Sequence, residues 1–361
     1  MKVKIGDLTK IKTGKLDANA SSEDGQYPFF TCSREPLKIS TYSYDCECVL
    51  VAGNGDLNVK YYNGKFDAYQ RTYIIEDNGS GKLYMPYLYY FMEGYIEELR
   101  KQAIGGVIKY IKLGNLTEAL IELPSVDEQK SIVEILEKSK GILDKRNDEI
   151  CALDDLIKAR FVERFGDPKS NSFGFDKMML KDTCKVVTGN TPSRSVAEYY
   201  GDYIEWIKTD NIVPGLFNPT KATESLSKKG MEIGRIVDRN SILMACIAGS
   251  IASIGRVCIT DRMVAFNQQI NAIIPKRYNI LFLYVLLQVS KDYLVEEINM
   301  ALKGILSKSK LEKKEFIVPP MEMQNQFAEF VEQINKSKVS IQKALDETKL
   351  LFDSLMQKYF G

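Results

Sequence analysis

Two stretches of the chain place apolar residues at seven-residue intervals. Leu136, Leu143, Ile150 and Ile157 form one series, flanked by Ile132 and Leu153. Val331, Leu345 and Phe352 form the other, with Phe327, Ile334, Ile341 and Leu355 around them and Lys338 as a polar break. This spacing predicts two long amphipathic helices that associate through these side chains. Their polar breaks do not coincide: Ser139 and Arg146 correspond to Ile334 and Ile341, and Lys338 corresponds to Leu143. At ~1.5 Å per residue each helix would reach roughly 55 Å, the length of a spacer. Ser125-Val126-Asp127-Glu128, directly after Pro124, reads as a capping box that opens the first helix. Ahead of each helix lie short β-like runs, such as Cys48-Val49-Leu50-Val51-Ala52 and Arg71-Thr72-Tyr73-Ile74-Ile75. Turns such as Gly53-Asn54-Gly55-Asp56 punctuate them.

The same order of textures occurs twice. Asp7-Leu8-Thr9 and Thr13-Gly14 recur as Asp182-Thr183 and Thr188-Gly189, 175 residues later. Tyr87-Leu88-Tyr89 matches Phe282-Leu283-Tyr284, Pro124…Gln129 matches Pro319…Gln324, and Phe165-Gly166 matches Phe360-Gly361, all at a shift of 195. The second copy therefore carries about 20 extra residues in its first half. The expected architecture is mixed α/β with a pseudo-two-fold internal repeat. A β-rich domain spans 1–124, a long helix 125–166, a linker 167–176, a second β-rich domain 177–319 and a second long helix 320–361.

Composition narrows the chemistry. The 361 residues include no histidine, which excludes a Ser-His-Asp triad, a Cys-His pair and histidine-ligated metal. Seven cysteines, at 32, 46, 48, 151, 184, 246 and 258, contain no CxxC and read as reduced, mostly buried thiols. The N-terminus lacks an apolar signal core, and the longest apolar run, 280–287, is far short of the ~20 residues of a membrane helix. A cytoplasmic protein with no membrane association is expected. The overall net charge of +1 hides an asymmetry: residues 1–124 carry −1, 125–176 carry −3, 177–319 carry +6 and 320–361 carry −1. Within the basic region Lys303, Lys308, Lys310, Lys313 and Lys314 cluster, a pattern suited to phosphate contact.

No catalytic motif emerges. Gly53…Lys60 lacks the GK[ST] ending of a phosphate loop, and Ala248…Gly255 is a glycine-serine turn. Glu128-Gln129-Lys130 has an E-x-K spacing but sits at a helix start, where it serves as a cap. What remains is an inventory suited to reading base edges, Asn, Gln, Arg and Lys beside aromatics in turn-rich segments. In the first copy these are Arg34, Asn54, Lys60, Tyr69, Gln70 and Arg71. In the second they are Asn190, Arg194, Lys208, Asn211, Arg256, Asn267, Gln268 and Gln269, with Lys303, Lys308 and Lys310 for phosphates. Two such regions on a helical frame suggest a reader of two separated half-sites. The competing reading is a helical adaptor whose globular domains bind protein.

Pro124-Ser125-Val126-Asp127-Glu128-Gln129-Lys130-Ser131-Ile132-Val133 resembles the P-P-x-x-E-Q-x-x-I-V signature of specificity subunits of type I restriction–modification systems. The opening Leu/Asp…Thr-Gly element, the mid-repeat aromatic segment and Phe165-Gly166-Asp167 are similar too, so the resemblance runs through both halves. It departs at Ser125, where a second Pro is usual, and at Met323, where Glu is usual. The resemblance implies two target recognition domains and two long helices that pair antiparallel and dock two methyltransferase (modification) subunits, joined by restriction/translocase subunits. It implies double-stranded DNA as ligand, each domain reading one half of a bipartite, asymmetric target. S-adenosylmethionine, ATP and magnesium would belong to the partners, leaving this chain non-catalytic and without a bound cofactor or metal.

Overall fold

The computed structural model describes residues 2–296, 298 and 304–361. The chain forms two compact units, one of Met1–Lys145 with Ala344–Gly361 and the other of Arg146–Lys343.

The first unit is built on a six-stranded sheet in the order Thr9–Thr13, Thr72–Asp77, Tyr44–Ala52, Val59–Ala68, Tyr27–Phe30, Leu37–Ile39. Its pairings are antiparallel except one: Tyr27–Phe30 runs parallel to the end of Val59–Ala68, with Phe29 beside Asp67 and Phe30 beside Ala68. The continuous apolar run 48–52 is buried on both faces, and the two-residue period of a strand sorts it. Cys48 and Leu50 join Phe30, Tyr44, Phe66 and Ile74 on one face. Val49 and Val51 point to the other, against the mid-repeat helix Met85–Gln102 through Leu88, Phe91 and Met92. Lys2–Lys4 pairs antiparallel with Leu120–Glu122 and so ties the two ends of the repeat together.

The second unit repeats this plan with breaks. Cys184–Thr188, Ile270–Pro275, Ile242–Ala245 and Val257–Ile259 form a four-stranded sheet. A second sheet contains Ser225–Leu226, Ile204–Ile207 and Val264–Phe266, the last two again parallel, with Trp206 beside Ala265. The single strand Val59–Ala68 of the first unit thus corresponds to two strands here, separated by Thr260-Asp261-Arg262-Met263. The mid-repeat helix is Ile280–Val289, and Lys177–Met179 paired with Glu315–Ile317 closes the repeat.

The heptad stretches are two continuous helices, Val126–Phe165 and Met321–Phe360. Ser125 and Glu128 make the expected reciprocal cap: the Ser125 backbone N–H donates to Glu128 Oε2 at 3.0 Å and the Glu128 N–H to Ser125 Oγ at 3.3 Å. None of the heptad residues named from the sequence is exposed: Leu136, Ile157, Phe327 and Val331 are buried, and Ile132, Leu143, Ile150, Leu153, Ile334, Ile341, Leu345, Phe352 and Leu355 are half-buried. In the second unit the helices run antiparallel: Ile150 lines one cavity with Gln342, Asp154 pairs with Lys338 at 2.6 Å, and Phe161 packs on Phe327 with ring centroids 5.5 Å apart. Lys338 therefore answers a carboxylate on the opposite helix, so its heptad break is a paired charge in the seam.

The helices also enter the unit cores. Phe161 and Phe165 pack on Phe282 of the second mid-repeat helix, with ring centroids 5.4 and 5.0 Å away, the second edge-on. Phe360 packs on Tyr87 and Phe91 of the first, at 5.0 and 6.2 Å. The glutamine of the Pro…Gln element completes this joint. Gln129, fully buried, donates from Nε2 to the Lys82 and Pro124 carbonyls (2.8 and 3.0 Å) and accepts the Tyr84 N–H at 2.8 Å. Gln324, equally buried, donates to the Pro319 carbonyl at 2.8 Å and accepts the Asn279 N–H at 2.9 Å. One amide thus satisfies backbone groups just ahead of both helices it joins, among them the N-cap N–H of the mid-repeat helix, Tyr84 or Asn279, which has no intrahelical partner.

Candidate nucleic-acid interface

The recurring Thr-Gly pair marks a chain crossing. A Cβ on Gly14 would fall 2.1 Å from the Ala68 carbonyl oxygen, and one on Gly189 would fall 2.1 Å from that of Asn267, so neither position admits a side chain. Under each glycine lies a three-residue turn, Tyr69-Gln70-Arg71 in the first unit and Asn267-Gln268-Gln269 in the second. The turns share their backbone bonds. Tyr69 N–H donates to Phe30 and Asn267 N–H to Ile207, at 2.9 and 3.0 Å. Gly53 N–H donates to the Arg71 carbonyl and Cys246 N–H to that of Gln269, both at 2.8 Å. Gly14 and Gly189 donate to Thr72 and Ile270, both at 3.0 Å. These bonds are common to both units, the first turn adding one from the Gln70 N–H to the Leu16 carbonyl at 2.9 Å, and the side chains presented differ.

In the first unit the turn exposes Gln70 and Arg71 and leaves Tyr69 half-buried. Gln70 Nε2 donates to Asp17 Oδ1 at 2.8 Å. Asn54 forms an isolated bridge with Tyr110. Lys60 donates to the Asn58 side-chain oxygen, and burial lowers its pKa. Arg34 belongs to a separate cluster in which Asp56 takes both Arg34 and Arg100, at 3.2 and 3.0 Å. Those two guanidiniums hold the Asp56 carboxyl below its usual range.

The second unit gathers more groups at its turn. Gln268 is exposed and accepts from the Thr191 hydroxyl. Beside it the loop 189–195 carries Arg194, whose guanidinium lies 4.5 Å from the Tyr200 ring centroid and 5.2 Å from that of Trp206. Arg194 also pairs with Glu224 at 2.7 Å, and Lys208 holds the same carboxylate and lies 5.2 Å from Trp206. Glu224 stays ionised below the usual range, mainly through its hydrogen bond from Lys208. Exposed pairs of this kind add little stability, and contacts with aromatic faces add ~0.5–1 kcal/mol; what they fix is the direction of the cations.

Other sequence candidates point inward. Asn211, 7% exposed, accepts the Lys208 N–H at 2.9 Å and donates to Thr220 Oγ1 and the Lys221 carbonyl. Asn267, 5% exposed, accepts the Gln269 N–H and donates to Gln269 Oε1, both at 3.1 Å. Asn190 is spent on backbone: Nδ2 donates to the Ile233 carbonyl at 3.0 Å and Oδ1 accepts the Arg235 N–H at 2.7 Å. These three shape the loops. Arg256 lines a cavity with Asp154, Tyr284 and Lys291, apart from the turn. Of the lysine cluster, Lys308 and Lys310 are exposed on the short helix Lys308–Lys313, Lys308 with Glu312 at 3.6 Å, and Lys303 lies outside the described residues. Lys314 is not a surface cation: it is 6% exposed, donates to the Tyr293 carbonyl at 3.0 Å and lies 4.2 Å from that ring's centroid.

Trp206, Tyr200, Glu224 and Thr191 are not among the sequence candidates. The one tryptophan, in a short strand two residues before Lys208, is the signal that could have found them. Four of the seven thiols are buried, and burial pushes Cys184 up to about 11 and Cys246 up to about 12. No helix among the described residues is long and apolar enough to cross a membrane.

Comparison with known proteins agrees with this geometry. The family model for the type I restriction modification DNA specificity domain matches twice, over residues 1–151 and 174–348. The specificity subunit of the type I restriction enzyme EcoDI from Escherichia coli is 44% identical over 135 residues, covering 37% of this chain and 30% of the relative. That of HindI from Haemophilus influenzae is 35% identical over 107 residues, 28% of this chain and 22% of the relative. These alignments span less than a third of either relative's length. The crystal structure of the S subunit of a type I restriction–modification system from M. genitalium shares the fold, with a TM-score of 0.61 at 16% identity over 100% of this chain and 96% of that one.

Proposed function

The chain belongs to the family of type I restriction modification DNA specificity domains, and from that premise we propose that it is the DNA-recognition subunit of such a complex. Each unit reads one half of a bipartite, asymmetric double-stranded target. The observation that carries this reading is the pair of turns at 69–71 and 267–269. A shared set of backbone bonds presents Tyr-Gln-Arg in one unit and Asn-Gln-Gln in the other, which suits two different half-sites rather than a palindrome. Gln70, Arg71, Gln268 and Arg194 have the donor and acceptor patterns that distinguish bases in the major groove. Lys308 and Lys310 supply phosphate contacts. The chain itself contributes no catalysis and binds no cofactor. Two modification subunits that use S-adenosylmethionine dock on it, and restriction/translocase subunits that use ATP and magnesium complete the complex in the cytoplasm.

The test is to express this chain with its modification subunit in a methylation-free host and sequence the methylated genome. One bipartite motif with a fixed unread gap is expected. Methylation absent, or confined to a contiguous palindrome, would overturn the proposal.

A further inference from the structure

The two repeats differ at one place that has a bearing on partners. Each contains a hairpin-like pair of short strands, Tyr27–Phe30 with Leu37–Ile39 and Ile204–Ile207 with Ser225–Leu226. The connection is 31–36 in the first unit and 208–224 in the second, eleven residues longer. The long connection is anchored at its base: Arg262 holds Glu205 at 2.9 and 2.8 Å, and Glu205 accepts the Ala222 N–H at 2.7 Å. Its tip lies against the unit's own helices. Phe217 packs on the Tyr284 ring at 4.9 Å, and Lys338 donates to the Gly215 carbonyl at 3.3 Å. Tyr284 is left 7% exposed.

The residue equivalent to Tyr284 is Tyr89, 195 positions earlier, and nothing of this kind covers it among the described residues. The short connection, 31–36, carries no aromatic ring: its Arg34 and Glu35 reach the helix edge and line one cavity with Tyr89, Glu93 and Arg100. A second cavity of about 400 Å³ stays open beside Tyr89, lined also by Tyr61, Tyr90, Glu137, Lys140, Gly141 and Asp144. Lys140 lies over the Tyr89 ring at 5.7 Å. Glu47 accepts from the Tyr61 hydroxyl at 2.7 Å, and Glu93 is held protonated to higher pH by burial. The site is aromatic at its floor, and its rim carries two carboxylates, Glu137 and Asp144, and one cation, Lys140.

We propose that this pocket in the first unit receives an aromatic side chain, flanked by basic residues, from a loop of a modification subunit, in the place that the chain's own Phe217 takes in the second unit. The inference rests on the reading given above, that the chain assembles with such subunits. The second unit supplies the template for the occupant: an aromatic ring on a loop, seated on the equivalent tyrosine. The rim supplies the flanks, because its carboxylates Glu137 and Asp144 outnumber its one cation, Lys140, and favour cations over a phosphate backbone. An aromatic anchor in a desolvated pocket is the type of contact that dominates interfaces. The two partner sites of the chain are then unequal, one carrying this anchor and the other with its counterpart already filled.

Gly141 gives a test that spares the fold. A Cβ there would meet no atom within 4 Å, and the residue is on the cavity wall in the middle of a helix. The full chain carrying Gly141→Phe, and separately Tyr89→Ala, is purified with its modification subunit, and stoichiometry is read by native mass spectrometry across a dilution series. The expected result is a complex with two modification subunits for the parent and with one for both variants at the same concentrations. Two subunits retained by Gly141→Phe at parental concentrations would overturn the pocket. So would an unchanged stoichiometry with weakened DNA binding, which would make the pocket a nucleic-acid contact. A parent chain that binds no modification subunit would instead remove the functional reading on which the proposal rests.

Discussion

Replacing Gln129 by leucine probes the joint between the mid-repeat helix and the long helix without a large change in volume. The substitution removes two donors and one acceptor at once. It strands the Lys82 and Pro124 carbonyls and the Tyr84 N–H around a side chain that is 0% exposed. Each buried polar group left without a partner costs ~1–3 kcal/mol. Water reaching Lys82, which lies at the surface, recovers part of this. The expected loss is therefore ~3–5 kcal/mol, a large share of the ~5–15 kcal/mol typical of a folded domain. Because the chain has two units, a single unfolding free energy is a poor readout. Hydrogen exchange followed by mass spectrometry resolves the effect: peptides covering 82–102 and 126–136 should lose protection together, while those of residues 184–289 keep theirs. Gln324→Leu should produce the converse pattern, exposing 279–289. A Gln129→Leu chain with parental protection at 82–102 would refute the role given to this amide.

Phe161→Ala should destabilise the second unit by ~3–5 kcal/mol, seen as an earlier thermal transition, since it empties a fully buried site between Phe282 and Phe327. Ile150→Asp should cost less, because Ile150 is half-buried; equal melting shifts for the two would contradict this ranking. In the assembled complex, Lys308→Ala with Lys310→Ala should flatten the log–log salt dependence of DNA affinity by roughly 0.9 for each phosphate no longer neutralised, with sequence preference unchanged. Gln268→Ala should instead cost ~1–3 kcal/mol on the cognate duplex and little on a scrambled one. A parental salt slope in the first, or an equal loss on both duplexes in the second, would exclude the assigned role.

The long helices are legible in the sequence because an apolar stripe repeating every seven residues is what a paired helix requires, and the cap at Ser125 and Glu128 lies where Pro124 sets it. The repeat is legible from Thr-Gly and Pro…Gln, although the physical reasons for those residues are not. Gly14 is required by a carbonyl oxygen 54 residues away in sequence, and Gln129 by carbonyl and amide groups 5 to 47 residues away. The base-reading candidates separate less well, because asparagine serves equally as a loop brace and as a reader. Asn211, Asn267 and Asn190 are braces, whereas Gln268, with the same chemistry, faces solvent. Lys314 shows the same ambiguity for cations: its position in a lysine run suggests solvent, and the Tyr293 ring and carbonyl draw it inside. The extra residues of the second copy are countable in the sequence, but the docking of Phe217 on Tyr284 depends on tertiary placement alone.

The central claim is that each unit reads its own half-site. The most direct measurement exchanges residues 1–124 for the equivalent domain of a family member of known target and sequences the methylated genome of cells expressing the hybrid with its modification subunit. The expected result is a bipartite motif in which one half is replaced and the other, read by the second unit, stays unchanged. A hybrid that alters both halves would contradict it.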